Sequence, residues 1–143
     1  MPDARLQSVC APVTAFDAAL RALTDNMLAT MYDAPGRGLA APQVGVLQRL
    51  FVMDATWKEG TPDPQVMVNP QIVEYADTTE TAEEGCLSIP DTPCQVTRPI
   101  AIRVTWQDVT GAPQEGQFDG FAARCIQHEA DHLDGILCTD RAI

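Results

Sequence analysis

The sequence predicts an α+β fold. One small domain, residues 1–143, carries mixed, mostly antiparallel strands packed on an N-terminal helix and on a second helix near the C-terminus. Three observations lead there. Apolar side chains recur at helical spacing in two stretches, one early and one late. Short runs of alternating polarity lie between them. Eleven prolines and nine glycines punctuate those runs, which favours many short elements over a few long ones.

Taken in order, Thr14-Ala15-Phe16-Asp17 reads as a capping box opening a helix over residues 18–32. Leu20, Leu23, Met27, Leu28 and Met31 fall on its apolar face. Pro35-Gly36-Arg37-Gly38 ends it, and residues 39–45 form a small-residue loop. Residues 49–53 and 66–68 read as strands, separated by an exposed Gly/Pro-bearing loop over 57–64. Residues 71–75 and 100–106 alternate well enough for two more strands, and 113–116 reads as a turn before Gln117-Phe118. From 120 to 133 the spacing is helical again, with Phe121, Cys125, His128 and His132 close to one stripe, and Gly135 stops the helix.

Composition narrows the function classes. The length of 143 residues suits one domain, and 45% apolar residues provide for an ordinary core. Nine basic residues against twenty acidic ones give a net charge of −11, which argues against a phosphate-tracking nucleic-acid surface and against docking on anionic membranes. The plain reading of the acidity is solubility. The N-terminus has no basic and apolar leader pattern, and no apolar run approaches a membrane span, so a cytoplasmic protein is expected. Five cysteines, an odd number without framework-like spacing, read as thiols rather than as a disulfide scaffold. Cys10, Cys94, Cys125 and Cys138 are expected to be ordinary core or surface residues.

Chemistry concentrates in three segments. In His128-Glu129-Ala130-Asp131-His132 the two histidines stand four apart, so on a helix both imidazoles reach one metal ion. Glu129 stands about 100° round the same turn, placed to handle a proton on a water there. A catalytic metal ordinarily takes three protein ligands. Spacing alone leaves the third open among Cys86, Glu83 and Glu84, in Glu83-Glu84-Gly85-Cys86-Leu87-Ser88. The third segment, Gly38-Leu39-Ala40-Ala41-Pro42-Gln43, has small residues that let a backbone approach a ligand and a neutral amide that could stabilise an oxyanion.

In order and separation, Gly38 to Gln43, Glu84 to Ser88 and Gln127 to His132 resemble the three motifs of the peptide deformylases, and the resemblance spans nearly the whole chain. It implies that Cys86, His128 and His132 bind the metal and that Glu129 is the general acid/base. It implies that Gln43 and the backbone N–H of Leu87 stabilise the oxyanion, and that the backbones at Gly38 and Gly85 pair with a bound peptide. Glu84 and Arg98 match a supporting ion pair, and Asp131 a position that helps orient the histidines. The implied metal is Fe²⁺, with Zn²⁺, Ni²⁺ or Co²⁺ as substitutes. The implied reaction removes the formyl group from N-formylmethionyl peptides and releases formate. The alternative is hydrolysis of another small N-formyl or N-acyl substrate. Arg37 motivates that alternative: it occupies a position where the family commonly has an aliphatic residue, beside the pocket expected for the substrate's first side chain. The acidic chain also lacks the basic C-terminal helix by which many bacterial members contact the ribosome, so docking by that route is not expected. The partners expected are N-formylated peptide N-termini, with no nucleic acid and no membrane, and the expected state is a monomer.

Overall fold

Both helices foreseen in the sequence form, and they cover opposite faces of one antiparallel sheet. The computed structural model describes residues 8–86 and 89–141, and of residues 86 and 89–92 the backbone alone. Helix α1, Ala18–Asp33, buries Leu20, Thr24, Met27 and Met31, one residue per turn on a single stripe. Its cap is Asp17 rather than Thr14, because the Asp17 carboxylate accepts from the Leu20 N–H at 3.0 Å. An aspartate one position outside the first turn satisfies an otherwise orphaned donor.

The main sheet has the order β1-β2-β3-β6-β7. Its strands are Gly38–Ala40, Leu50–Met53, Gln65–Tyr75, Ala101–Gln107 and Pro113–Asp119. Every pairing among them is antiparallel. All four residues of β2 are buried, and the two-residue period of a strand explains why. Leu50 and Val52 join the core beneath α1, with Met27, Met31, Leu39 and Val68. Phe51 and Met53 join the core on the other face, with Ala123, Ile126 and Leu133 of α2, Gly120–Leu133. A separate hairpin, β4 (Thr79–Cys86) and β5 (Ile89–Pro99), stands beside the main sheet. The short helix α3, Cys138–Arg141, rests on it through Cys138, Cys94 and Val96.

Besides the cap, other expectations change. The strands expected at 66–68 and 71–75 are one strand, β3, bent at Asn69, whose φ is +50° and where the register with β6 shifts. Asn69 is held in that left-handed conformation by its amide, which bonds both backbone groups of Val13 and the Gln107 side chain. The turn expected at 113–116 lies earlier. Asp108 Oδ1 accepts from the N–H groups of Thr110 and Ala112, and Gly111 takes φ +87°, so β7 already begins at Pro113. The loop 57–64 includes a 3-10 turn, Trp57–Glu59. It is pinned down by the Trp57 indole donating to Gly36 O at 3.0 Å and lying edge-on to Tyr32. Among the described residues, no helix is long and apolar enough to cross a membrane.

Candidate active site

Helix α2 presents its chemistry inward. His128, Glu129 and His132 are all buried, and one ligand atom from each lies within 4.8 Å of the others. The two rings stand with centroids 5.1 Å apart at 71°, as two imidazoles one helical turn apart must when they aim at a common point. Burial, reinforced by the neighbouring His128, lowers the His132 pKa to about 3, so its ring is neutral, the form a metal ligand requires. Burial likewise raises the Glu129 carboxyl to about 7, where a group can both take and give a proton near neutral pH. Among the described residues, Glu129 Oε1 is buried without a hydrogen-bond partner, an arrangement that ordinarily costs free energy and marks a site where a water, proton or cation belongs.

Behind this face lies a network of charges. Glu84 Oε1 faces His128 Nδ1 at 3.0 Å and accepts from Arg98 Nη2 at 2.9 Å. Its Oε2 accepts from Arg98 Nε and Arg124 Nη1, both at 2.6 Å. Burial would raise the Glu84 carboxyl, but the bonds from His128 and Arg98 outweigh it and lower it to about 2. These four contacts use the acceptor positions of a carboxylate, so Glu84 is a support for His128 and not a candidate third ligand. With Nδ1 tied to a carboxylate, the His128 ring is fixed in orientation and its other nitrogen is left to face the metal position. Among the described residues, the hydrogen bonds of Asp131, the position expected to orient the histidines, go to arginines. It accepts from Arg98 at 2.9 Å and twice from Arg141, and so reaches His128 through Arg98 and Glu84.

The opposing wall comes from the first motif. Residues expected to be loop form strand β1 and a 3-10 turn, Ala41–Val44. Gln43 Oε1 accepts from the Ala40 N–H at 2.8 Å, which assigns the ends of the amide: the oxygen is held by the backbone, and the cleft side can receive a donor from Nε2. Gly38 is required for a steric reason. A Cβ there would run into the Glu129 carboxylate, lying 3.0 Å from its Cδ and 2.9 Å from Cys125 Sγ, so the glycine lets Glu129 and the strand approach closely.

Of the residues singled out in the sequence, Arg37, Gly38, Gln43, Gly85, His128 and Glu129 line one cleft of about 560 Å³. His132 is buried on the same helix beneath it. Cys86 ends β4, its backbone in register with Ile89, while its side chain, and Leu87 altogether, lie outside the described residues. The sequence reading missed Phe121, Lys58, Arg124 and Cys125 as lining residues. Phe121 and Cys125 had a signal: they precede Glu129 by eight and four positions, on the same helical face. Lys58 had none, since only the folded 3-10 turn carries it to the cleft.

His128 and His132 offer two imidazole nitrogens to one point, donors of the borderline kind that a divalent transition metal accepts. An HExxH helix facing a Gly/Gln wall across a cleft defines a metal-dependent hydrolase. The comparisons with known proteins make the class specific. The whole chain, residues 1–143, matches the polypeptide deformylase family model. The peptide deformylase of Mesorhizobium japonicum is 50% identical over 140 residues, spanning 98% of this chain and 80% of that protein. That of Brucella suis is 50% identical over 141 residues with the same shares. The crystal structure of peptide deformylase from Thermotoga maritima superposes with a TM-score of 0.93 at 44% identity, covering 99% of this chain and 92% of that one. The Synechococcus elongatus enzyme in complex with actinonin superposes at 0.94 and 44%, covering 99% and 77%. The chain belongs to the polypeptide deformylase family.

Proposed function

We propose that the cleft hydrolyses the formyl amide of N-formylmethionyl peptides on newly made proteins and releases formate. The observation that carries this reading is the convergence of His128, Glu129 and His132 on the α2 side of a cleft whose other wall is Gly38 and Gln43. In this reading Cys86 completes the ligand set with the two histidines, and the metal is Fe²⁺, with Zn²⁺, Ni²⁺ or Co²⁺ as substitutes. The bound cation supplies Lewis acidity and lowers the pKa of water in its coordination sphere.

The chain's own residues do the rest. Glu129 takes the proton of the attacking water and returns it to the leaving amine. Its raised pKa suits both transfers. Gln43 Nε2 and the Leu87 N–H donate to the formyl oxygen as negative charge grows on it. Gly38 and Gly85 leave their backbones open to pair with the peptide. Glu84 holds His128 in position and is itself held by Arg98. The protein acts as a single-domain monomer in the cytoplasm.

The test is formate release from formyl-Met-Ala-Ser by protein loaded with Fe²⁺ under anaerobic conditions, which guards an iron–thiolate site against oxidation. Turnover is expected. Fully metallated protein that releases no formate would overturn the reading.

A further inference from the structure

The β4–β5 hairpin carries Glu84 and Gly85, yet its two strands form a sheet of their own, outside the main sheet that α2 covers. Side chains therefore set how the hairpin sits against the helix. Arg124 of α2 reaches both of its strands. Nη2 donates to Glu80 O of β4 at 2.6 Å. Nη1 donates to Val96 O of β5 at 3.0 Å and to Glu84 Oε2 at 2.6 Å. The Arg124 side chain is 13% exposed and lines the cleft beside Glu84, Gly85 and His128. A planar guanidinium that serves two backbone carbonyls and a carboxylate together is held in one geometry.

The carboxylate it holds is the one behind His128. Arg124 and His128 stand one helical turn apart on α2 and meet opposite ends of Glu84: Oε2 accepts from Arg124, and Oε1 faces His128 Nδ1 at 3.0 Å. Arg98 bonds both oxygens and so fixes the plane of the carboxylate. But Arg98 comes from β5 and moves with the hairpin. Its tie to α2 is Asp131, a carboxylate shared with Arg141. Arg124 instead joins the helix to Glu84 directly, and its own anchors are backbone atoms of both strands. It thus fixes where Glu84 lies along α2, one turn before His128.

We propose that Arg124 is a positioning residue for the metal site. It holds the hairpin in register with α2 so that Glu84 Oε1 stays on His128 Nδ1, which keeps the other His128 nitrogen aimed at the metal position. It acts through Glu84 and takes no part in the proton transfers. The inference rests on the reading of the cleft as a metal site and adds a support to it.

The test is Zn²⁺ affinity, measured by competition with a chromophoric chelator, for wild type, Arg124→Met, Glu84→Gln and the double variant. Partners that orient a metal-binding imidazole contribute about 10–100-fold in affinity, so Arg124→Met should weaken Zn²⁺ binding by about tenfold or more. A glutamine at 84 cannot present acceptors to Arg124 and His128 from opposite ends. In that background the route to His128 is already cut, and Arg124→Met should cost less than about threefold. Thr81→Val removes the 2.6 Å Thr81–Thr97 hydrogen bond and loosens the same hairpin without reaching Glu84. Its affinity should stay within about twofold of wild type, as for other exposed substitutions. Should Arg124→Met not fold, Arg124→Lys replaces it in the cycle and is read by the same criteria, since a point charge lacks the fork. Affinity within about twofold of wild type, equal losses in both Glu84 backgrounds, or a loss in Thr81→Val as large as at Arg124 would each overturn the assignment. Wild type that binds no Zn²⁺ would instead remove the metal reading, and this inference with it.

Discussion

Arg98 and Arg103 each bridge two carboxylates at nearly the same distances, and the structure gives them opposite weight. Arg98 bonds Glu84 at 2.6 and 2.9 Å and Asp131 at 2.9 Å, with its side chain 4% exposed. Arg103 bonds Glu74 at 2.6 Å and Glu115 at 2.7 Å across β3, β6 and β7, with its side chain 37% exposed and its partners more so. Contact distance therefore does not measure consequence. In the exposed trio each group keeps most of its hydration, so the pairs are individually weak. In the buried one, each charge relies on its partners to replace lost water, and removing one strands the others. The buried network also backs the ring of His128, so it couples the stability of the hairpin to the geometry of the metal position.

The largest effect should come from breaking the buried side. Arg98→Met leaves Glu84 and Asp131 under-compensated and should cost about 3–5 kcal/mol, read from the denaturant midpoint. A loss no greater than that of Arg103→Met would show that the network contributes little. On the cleft side of the same helix, Gly38→Ala should push Glu129 aside and lower kcat by about 10²-fold, the scale of a displacement near 1 Å, while circular dichroism shows the fold intact. Unchanged kcat would mean that the carboxylate relaxes without losing its role. Acid provides a milder probe. The folded-state pKa of Glu84 lies below its ordinary value of 4.5, at about 2, so its contribution to stability is present above pH 4.5 and is lost as the pH falls toward 2. Between those values the metal-free wild type should lose more stability than Glu84→Gln, and parallel curves would contradict the placement. Arg103→Met should be the smallest change, within about 1 kcal/mol.

Local patterns explain what the sequence made legible. The boundaries of α2 follow from its period and from Gly135, and the two histidines and Glu129 follow from spacing on one face. The β4–β5 hairpin was not legible as strands. Pro90, Pro93 and Pro99 interrupt β5, and prolines are tolerated there because a two-stranded hairpin has open edges. β3 reads as two pieces in the sequence because its bend at Asn69 depends on Val13 and Gln107, which are distant in sequence. The support of His128 by Glu84 joins residues 44 positions apart, and no period encodes it. Resemblance to a family reached the Glu84–Arg98 pair where spacing did not. It also gives Asp131 a part in orienting the histidines, and the geometry links Asp131 to His128 through Arg98 and Glu84. Lys58 and the stacking of Arg37 on Phe121 emerged only once the 3-10 turn had been folded against Gly36.

The central claim is that Glu129 moves the proton at a metal position built by the residues around it. The direct measurement is metal content together with formate release for Glu129→Gln, prepared beside wild type with Fe²⁺ under anaerobic conditions. The expected result is the same metal stoichiometry with activity on formyl-Met-Ala-Ser lower by about 10²-fold or more. Wild-type turnover by the metallated variant would contradict it.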